Sequence, residues 1–333
     1  MSKKVKMAMI GCGGMGRHHL RQLIKQRDTT EIVALCDISP ESLAETAKIF
    51  NQADLPMPPT VDDSDVLLST YRLDAVFIVT PHNIHFLQAK TALQSGLDVL
   101  LEKPMVMNAD EARSLIKTRD ETGNLLVVAF NGSLSPEIRE SVRLLRSGDL
   151  GKLLSISGTI WQGWGPGTTG KWRQVPEISG GGFMFDTGAH LLNTVADLAG
   201  EDFVDVAAWA DNYGRPVETL AAVIARLESG VLVSLHGCGE TIRTCKSDIR
   251  VFCTDAILRT GAWGKWLEVQ RQGESDFSPI KLPASLGVWE QFLDVRSGKI
   301  ANPSPPEVGL RMAKLYDAIK ASAAQNGTLV KCR

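Results

Sequence analysis

Two hydrophobic patterns alternate along the first 130 residues. Short, continuous apolar runs at 32–36, 75–79, 99–101 and 125–130, together with the run that opens 5–16, read as strands buried on both faces. Between them lie stretches with apolar residues three and four positions apart, beginning with Leu20, Leu23 and Ile24. Residues 40–50 follow Ser39 and start with Pro40, a serine cap with proline in the first turn. Further helices are expected around 62–69, over 84–95 ending at Gly96, and over 109–122 ending at Gly123. Strands separated by helices predict a doubly wound parallel α/β sheet.

Beyond about residue 131 the pattern changes. A helix at 136–147 and a strand at 153–160 lead into a loop rich in glycine and tryptophan, 161–182. Strand-like runs at 204–210, 220–227, 231–237, 249–253 and 266–270 then follow with short links, which predicts a mostly antiparallel open sheet. A helix over 305–324 closes the chain. Two domains are expected, 1–130 and 131–333.

The formal net charge of −2 provides no field to attract nucleic acid, and no basic run appears. The longest apolar runs are strand-sized, so no membrane span is expected. Lys3, Lys4 and Lys6 precede apolar residues as in a signal peptide, but that run is short and leads into a glycine turn. Cys12, Cys36, Cys238, Cys245, Cys253 and Cys332 form no CxxC and no zinc spacing with histidine. Buried thiols in a reducing cytoplasm, and no metal, are the expectation.

Candidate chemistry begins at Gly11-Cys12-Gly13-Gly14-Met15-Gly16, where glycines occupy the three positions of GxGxxG between a strand and a helix. Gly11 allows a tight turn, Gly13 a close approach of backbone to phosphate, and Gly16 close packing of helix on strand. The helix N-terminus then favours an anion. Asp37 ends the second strand 21 residues beyond Gly16, where a carboxylate accepts hydrogen bonds from an adenosine ribose. A dinucleotide site is predicted. No arginine follows Asp37 to hold a 2′-phosphate, so NAD is favoured and NADP remains open.

Three further clusters stand out. Thr80, Pro81, His82 and His85 follow a buried strand at its carboxyl end, where ligands of open α/β sheets bind; His85 also reads as a helix-start histidine with a structural bond. Glu102-Lys103-Pro104 follows the next strand, and there an ammonium group can hold a reacting oxygen, unless Lys103 is a solvated surface residue. Asp186 and His190, after Gly180-Gly181-Gly182, stand at i and i+4 and share a face if helical. Such a pair suits proton transfer. As a metal pair it lacks a third ligand.

In this order the clusters resemble the Gfo/Idh/MocA oxidoreductase family over nearly the whole chain, from GCGGMG and Asp37 through TPHNIH, LEKPMVMNADEA and SGGGFMFDTGAH to the tail. The resemblance implies a Rossmann domain followed by an α/β domain whose open sheet often forms the oligomer interface, in a homodimer or homotetramer. It implies that Lys103, Asp186 and His190 match the catalytic lysine, aspartate and histidine. It also implies that residues 11–16, Asp37, the TPH segment, His85, Glu102 and Lys103 serve the cofactor. His82 stands where asparagine is common, and Asn193 where aspartate is often found. The expected reaction moves hydride between nicotinamide and a secondary alcohol or ketone of a sugar, inositol or related polyol. His190 is the expected base, with exchange of roles with Lys103 open. Trp172, Arg173 and Asn193 are candidate substrate contacts beside Lys103, Asp186 and His190, with Trp161 and Trp164 in the same loop. A redox-neutral NAD-dependent glycosidase and a cofactor-binding sensor without turnover are the alternatives.

Overall fold

A computed structural model describes residues 3–333. The chain divides into two compact units. One comprises the chain up to Val106 with Glu111–Ala129 and Gly287–Pro306; the other comprises Met107–Asp110, Phe130–Leu286 and Glu307–Arg333.

The first unit carries β1 (Val5–Ile10), β2 (Thr30–Cys36), β3 (Thr60–Val61), β4 (Ala75–Ile78), β5 (Asp98–Leu101) and β6 (Leu126–Val128). They form one parallel sheet in the order β3-β2-β1-β4-β5-β6. Met7, Met9, Phe77, Ile78 and Leu100 are fully or almost fully buried, as expected for strands covered on both faces. Strand order reverses between β1 and β4, which makes the loops after these strands the ligand-binding edge of the fold. The outermost strand, β3, is only two residues long and lies where the sequence reads as a proline-rich loop and a helix start.

The second domain was expected to run unbroken over 131–333, and here the structure differs. The segment 287–306 packs with the first unit. Trp289 stacks on Phe77 and Phe292 and donates its indole N–H to Thr30 Oγ1 at 2.8 Å. The Val128 N–H donates to the Ser304 carbonyl at 3.2 Å, covering the edge strand β6.

The second unit holds β7 (Leu153–Gly163), β8 (Phe203–Asp211), β9 (Leu220–Leu227), β10 (Leu232–Cys238), β11 (Glu240–Cys253), β12 (Ala256–Thr260), β13 (Leu267–Arg271), β14 (Ser278–Pro279) and β15 (Val330–Lys331). They lie in the order β14-β13-β12-β11-β7-β10-β9-β8-β15, with β7–β10 the parallel pair and the remaining pairs antiparallel. The helix Gly188–Ala199, every residue of which is buried, covers one face. A Cβ at position 158 of β7 would lie 2.7 Å from Leu191 Cδ1, so Gly158 lets that helix settle on the sheet. The other face is open: Ala221, Val223, Ala225 and Leu227 of β9 point inward, whereas Ala222, Ile224 and Arg226 point out. The expected loop over 161–182 is mostly ordered, as the end of β7, short helices at Trp164–Thr168 and Pro176–Ser179, and a 3₁₀ turn at Trp172–Gln174. Among the described residues no helix is long and apolar enough to cross a membrane.

Candidate active site

In the first unit, the fingerprint turn leads from β1 into the helix Gly14–Leu23. Gly11 has φ +99°, and a Cβ there would sit 2.3 Å from the Val79 carbonyl oxygen; at Gly16 it would sit 2.1 Å from the Gly11 oxygen. These two glycines are therefore required by backbone approach. A Cβ at Gly13 or Gly14 would meet nothing within 4 Å, and no side chain caps the helix. Open space over uncapped N–H groups suits a pyrophosphate. Met15 is 42% exposed on the first turn. Asp37 Oδ2 accepts the Cys12 N–H at 2.6 Å and Oδ1 accepts the Ser39 N–H at 2.8 Å. The carboxylate thus fixes the turn, with lone pairs left to accept further hydrogen bonds.

Two expected cofactor ligands have other partners. His85 is fully buried, with Nδ1 2.8 Å from the Pro104 carbonyl and Nε2 2.9 Å from the Thr80 carbonyl. Burial pushes its pKa down, and a neutral ring has one N–H to donate. His85 joins the loops after β4 and β5 instead of reaching out to a ligand. Glu102 is likewise buried: Oε1 accepts from His19 Nε2 at 2.7 Å, and Oε2 accepts the Lys103 N–H at 2.9 Å. Burial pushes the Glu102 carboxyl up, but His19 and then Lys103 outweigh it and hold it below the usual range. Thr80 Oγ1 donates to Gln88 Oε1 at 2.7 Å, Pro81 precedes the helix His82–Gln94, and the His82 ring lies buried 5.9 Å from that of His85.

In the second unit, Asp186 ends the helix Phe183–Asp186, and His190 lies in the first turn of Gly188–Ala199. Both side chains are buried. Asp186 Oδ2 accepts Trp164 Nε1–H at 2.8 Å and Arg173 Nε–H at 2.9 Å, while the Arg173 guanidinium lies over the Trp172 ring at 4.5 Å. Phe130 and Trp263 flank His190, with ring centroids at 6.0 and 5.4 Å. Trp161 continues β7.

Asn193 does not join this group. Its Nδ2 donates to Ser133 Oγ at 2.9 Å, in a buried network in which Ser133 and Arg139 both donate to Asp197. Although i+3 spacing sets it on nearly the same side of the helix as His190, its side chain is fully buried in this network. The amide donor expected to meet substrate is thus engaged by Ser133.

The glycine-rich approach to Asp186 has a steric cause. A Cβ at Gly181 would lie 1.9 Å from Tyr316 Oη, and one at Gly182 would lie 1.9 Å from the Glu218 carbonyl oxygen. Glu218 Oε2 accepts the Gly182 N–H at 2.6 Å, and Tyr316 donates to Oε1 at 3.1 Å. Glu218, Tyr316, His19 and Trp263 belong to no motif in the sequence. Only His19 left a signal, a polar residue on the buried face shared by Gly16, Leu20 and Leu23. Among the described residues no three His, Cys, Asp or Glu side chains cluster as a metal site.

Residues 5–130 match the family model described as "Oxidoreductase family, NAD-binding Rossmann fold", and residues 138–259 match "GFO/IDH/MocA C-terminal domain". Among curated proteins, Oxidoreductase P35 of Formosa agariphila is 26% identical over 60% of this chain and 62% of its own length. D-apiose dehydrogenase of Paraburkholderia graminis is 28% identical over 73% of this chain and 63% of its own. In both, the match spans less than two thirds of the relative. A solved structure of levoglucosan dehydrogenase in complex with NADH shares the fold, with a TM-score of 0.86 at 20% identity over 99% of this chain and all of the other. With both domains matched by models of a single family, the chain belongs to the Gfo/Idh/MocA oxidoreductases, with an NAD-binding Rossmann domain at its N-terminus.

Proposed function

We propose that this protein moves hydride between NAD and a secondary alcohol or ketone of a sugar, inositol or related polyol. The observation that carries the reading is the set around Asp186: a buried carboxylate held by Trp164 and Arg173, with His190 one turn on between two aromatic rings. The nicotinamide supplies the hydride acceptor or donor when bound. In the oxidation direction His190 takes the proton from the hydroxyl group, since imidazole exchanges protons near neutral pH. Lys103 steadies the developing negative charge on the substrate oxygen. Asp186, already fixed by two donors, orients the acid–base group or a neighbouring hydroxyl.

Gly11, Cys12, Gly13, Gly14, Met15, Gly16 and Asp37 serve the dinucleotide in this reading, with Thr80, Pro81 and His82 along the adjoining strand end. The Asp37 carboxylate repels a 2′-phosphate, which favours NAD over NADP. Copies of the chain associate through the open face of the nine-stranded sheet. The names of curated relatives such as D-apiose dehydrogenase support a sugar as substrate.

The test is NADH formation by the purified protein across sugars, inositols and sugar acids, with Lys103→Ala beside it and NADP in parallel. Turnover with one substrate, lost in the variant, is expected. Cofactor binding without turnover, or release of an aglycone without net NADH, would overturn the dehydrogenase reading.

A further inference from the structure

We infer that Trp263 is the surface on which a ring-shaped substrate rests beside His190, and that it makes the protein select cyclic over open-chain polyols. The inference rests on the sugar or polyol chemistry proposed above.

Trp263 occupies a tight turn between β12 and β13, closed by the Gly264 N–H donating to the Gly261 carbonyl at 3.0 Å. Gly264 has φ +71°, the left-handed conformation that glycine adopts without penalty. The residue before the indole is held on both sides. The Ala262 N–H donates to Ser247 Oγ at 2.8 Å, and the Ala262 carbonyl accepts from Thr194 Oγ1 at 2.8 Å. Thr194 lies one turn beyond His190 on the same helix. The turn is thus fastened to the helix that carries the proposed base, and the indole meets the imidazole at 5.4 Å with a 49° tilt.

The other tryptophans near Asp186 are engaged differently. Trp164 is buried and spends its N–H on Asp186, and a guanidinium lies over Trp172. Trp263 stays half-buried. A rigid, partly open indole next to a proton-transfer group suits the C–H face of a pyranose or cyclitol, because apolar area is covered at little entropic cost. An open-chain polyol lacks such a flat face and must also give up rotamer freedom to imitate one.

The experiment combines 5-fluorotryptophan ¹⁹F spectra, with the Trp263 resonance assigned through Trp263→Phe, and kinetics on whichever ring substrate turns over. Methyl β-D-glucopyranoside, levoglucosan and myo-inositol are added as probes, and sorbitol as the open-chain control. The Trp263 resonance is expected to move with at least one ring probe and not with sorbitol. Trp263→Ala is expected to raise KM about tenfold with kcat within about threefold, and Trp263→Phe to stay near wild type. A resonance that stays still with all ring probes overturns the inference. NADH formation then separates the two failures: with turnover intact only the platform is wrong, and without it the proposed reaction fails as well.

Discussion

His19 and Glu102 meet at 2.7 Å in the interior of the first domain, one on the fingerprint helix and the other at the end of β5. The pair ties the dinucleotide turn to the backbone of Lys103, whose N–H donates to the second Glu102 oxygen. Because the Glu102 carboxyl is held below its usual 4.5, it adds stability above pH 4.5 that is lost as pH falls through the folded value. His19→Ala is expected to cost about 1.5–3 kcal/mol at pH 7, the range for a hydrogen bond to a charged group. In urea unfolding the gap to wild type should narrow below pH 4.5. A gap that stays constant with pH would show that the pair is not what Glu102 contributes.

In the proposed reading Asp37 does two things at once, fixing the turn and disfavouring a 2′-phosphate, and its substitution should separate them. Asp37→Asn keeps an acceptor for the Cys12 N–H but removes the charge that repels a 2′-phosphate. The ratio of kcat/KM for NAD to that for NADP is expected to fall on the order of tenfold or more, with little change in melting temperature. Asp37→Ala should lose both, weakening NAD binding and loosening the turn. If Asp37→Asn leaves the ratio unchanged, cofactor choice is made elsewhere.

Much of the first domain was legible in the sequence because its central strands are mostly apolar runs and several of its helices carry a capping or stop residue. Ser39 does cap its helix, accepting the Ser42 N–H, and Gly96 is left-handed just past the helix His82–Gln94. The two-residue β3 was not legible, since it is too short for a period. Nor was the return of 287–306 to the first domain, which depends on Trp289 finding Phe77 and Thr30 more than 200 residues away. At the candidate site the sequence marks residue types at strand ends but not where side chains point. His85 and Glu102 were expected at the cofactor and turn inward; Asn193 was expected at the substrate and bonds to Ser133.

Cys12 lies inside the fingerprint yet should be chemically silent. Burial, then the neighbouring Asp37 charge, pushes its thiol up to about 12, and Cys36 is pushed to about 12 by the same causes. Thiolate is the reactive form. Iodoacetamide at pH 7.5 is expected to modify exposed Cys245 while leaving Cys12 and Cys36 intact, as read by peptide mass spectrometry. Rapid labelling of Cys12 in the folded protein would contradict its burial.

Glu218 explains why position 182, in the run before Asp186, must be glycine. The Gly182→Ala methyl would collide with the Glu218 backbone, which cannot swing away, whereas at Gly181 the obstacle is the Tyr316 hydroxyl. Gly182→Ala should therefore be the more damaging, lowering both stability and turnover. Burial raises the Glu218 pKa despite the Gly182 N–H, so the folded protein holds this proton more tightly than the unfolded chain. Stability is then lost as pH rises from 4.5 through the folded value. Glu218→Gln keeps a neutral group of the same shape and should flatten that slope in thermal melts between pH 4.5 and 7. An unchanged slope would assign it to other groups.

The open sheet face sets the last expectation. Trp209, Ile224 and Leu232 stand 57%, 51% and 57% exposed on β8, β9 and β10, with Ala207, Ala222 and Ser234 beside them on the same strands. The pairing register puts Ile224 beside Ser234 and Ala207, near the middle of this surface. The edges of the sheet end in the two-residue strands β14 and β15, a form that discourages growth by strand addition. The proposed association of copies therefore uses the face, where two aligned sheets can pack about 10 Å apart. Ile224→Arg places a charge where an apolar contact is needed, and Trp209→Lys removes the largest side chain at the rim. Light scattering should show wild type as a dimer or larger, and the double variant should fall toward monomer with its circular dichroism unchanged. A wild-type monomer at tens of micromolar, or a double variant of undiminished mass, would show that this face is not the interface.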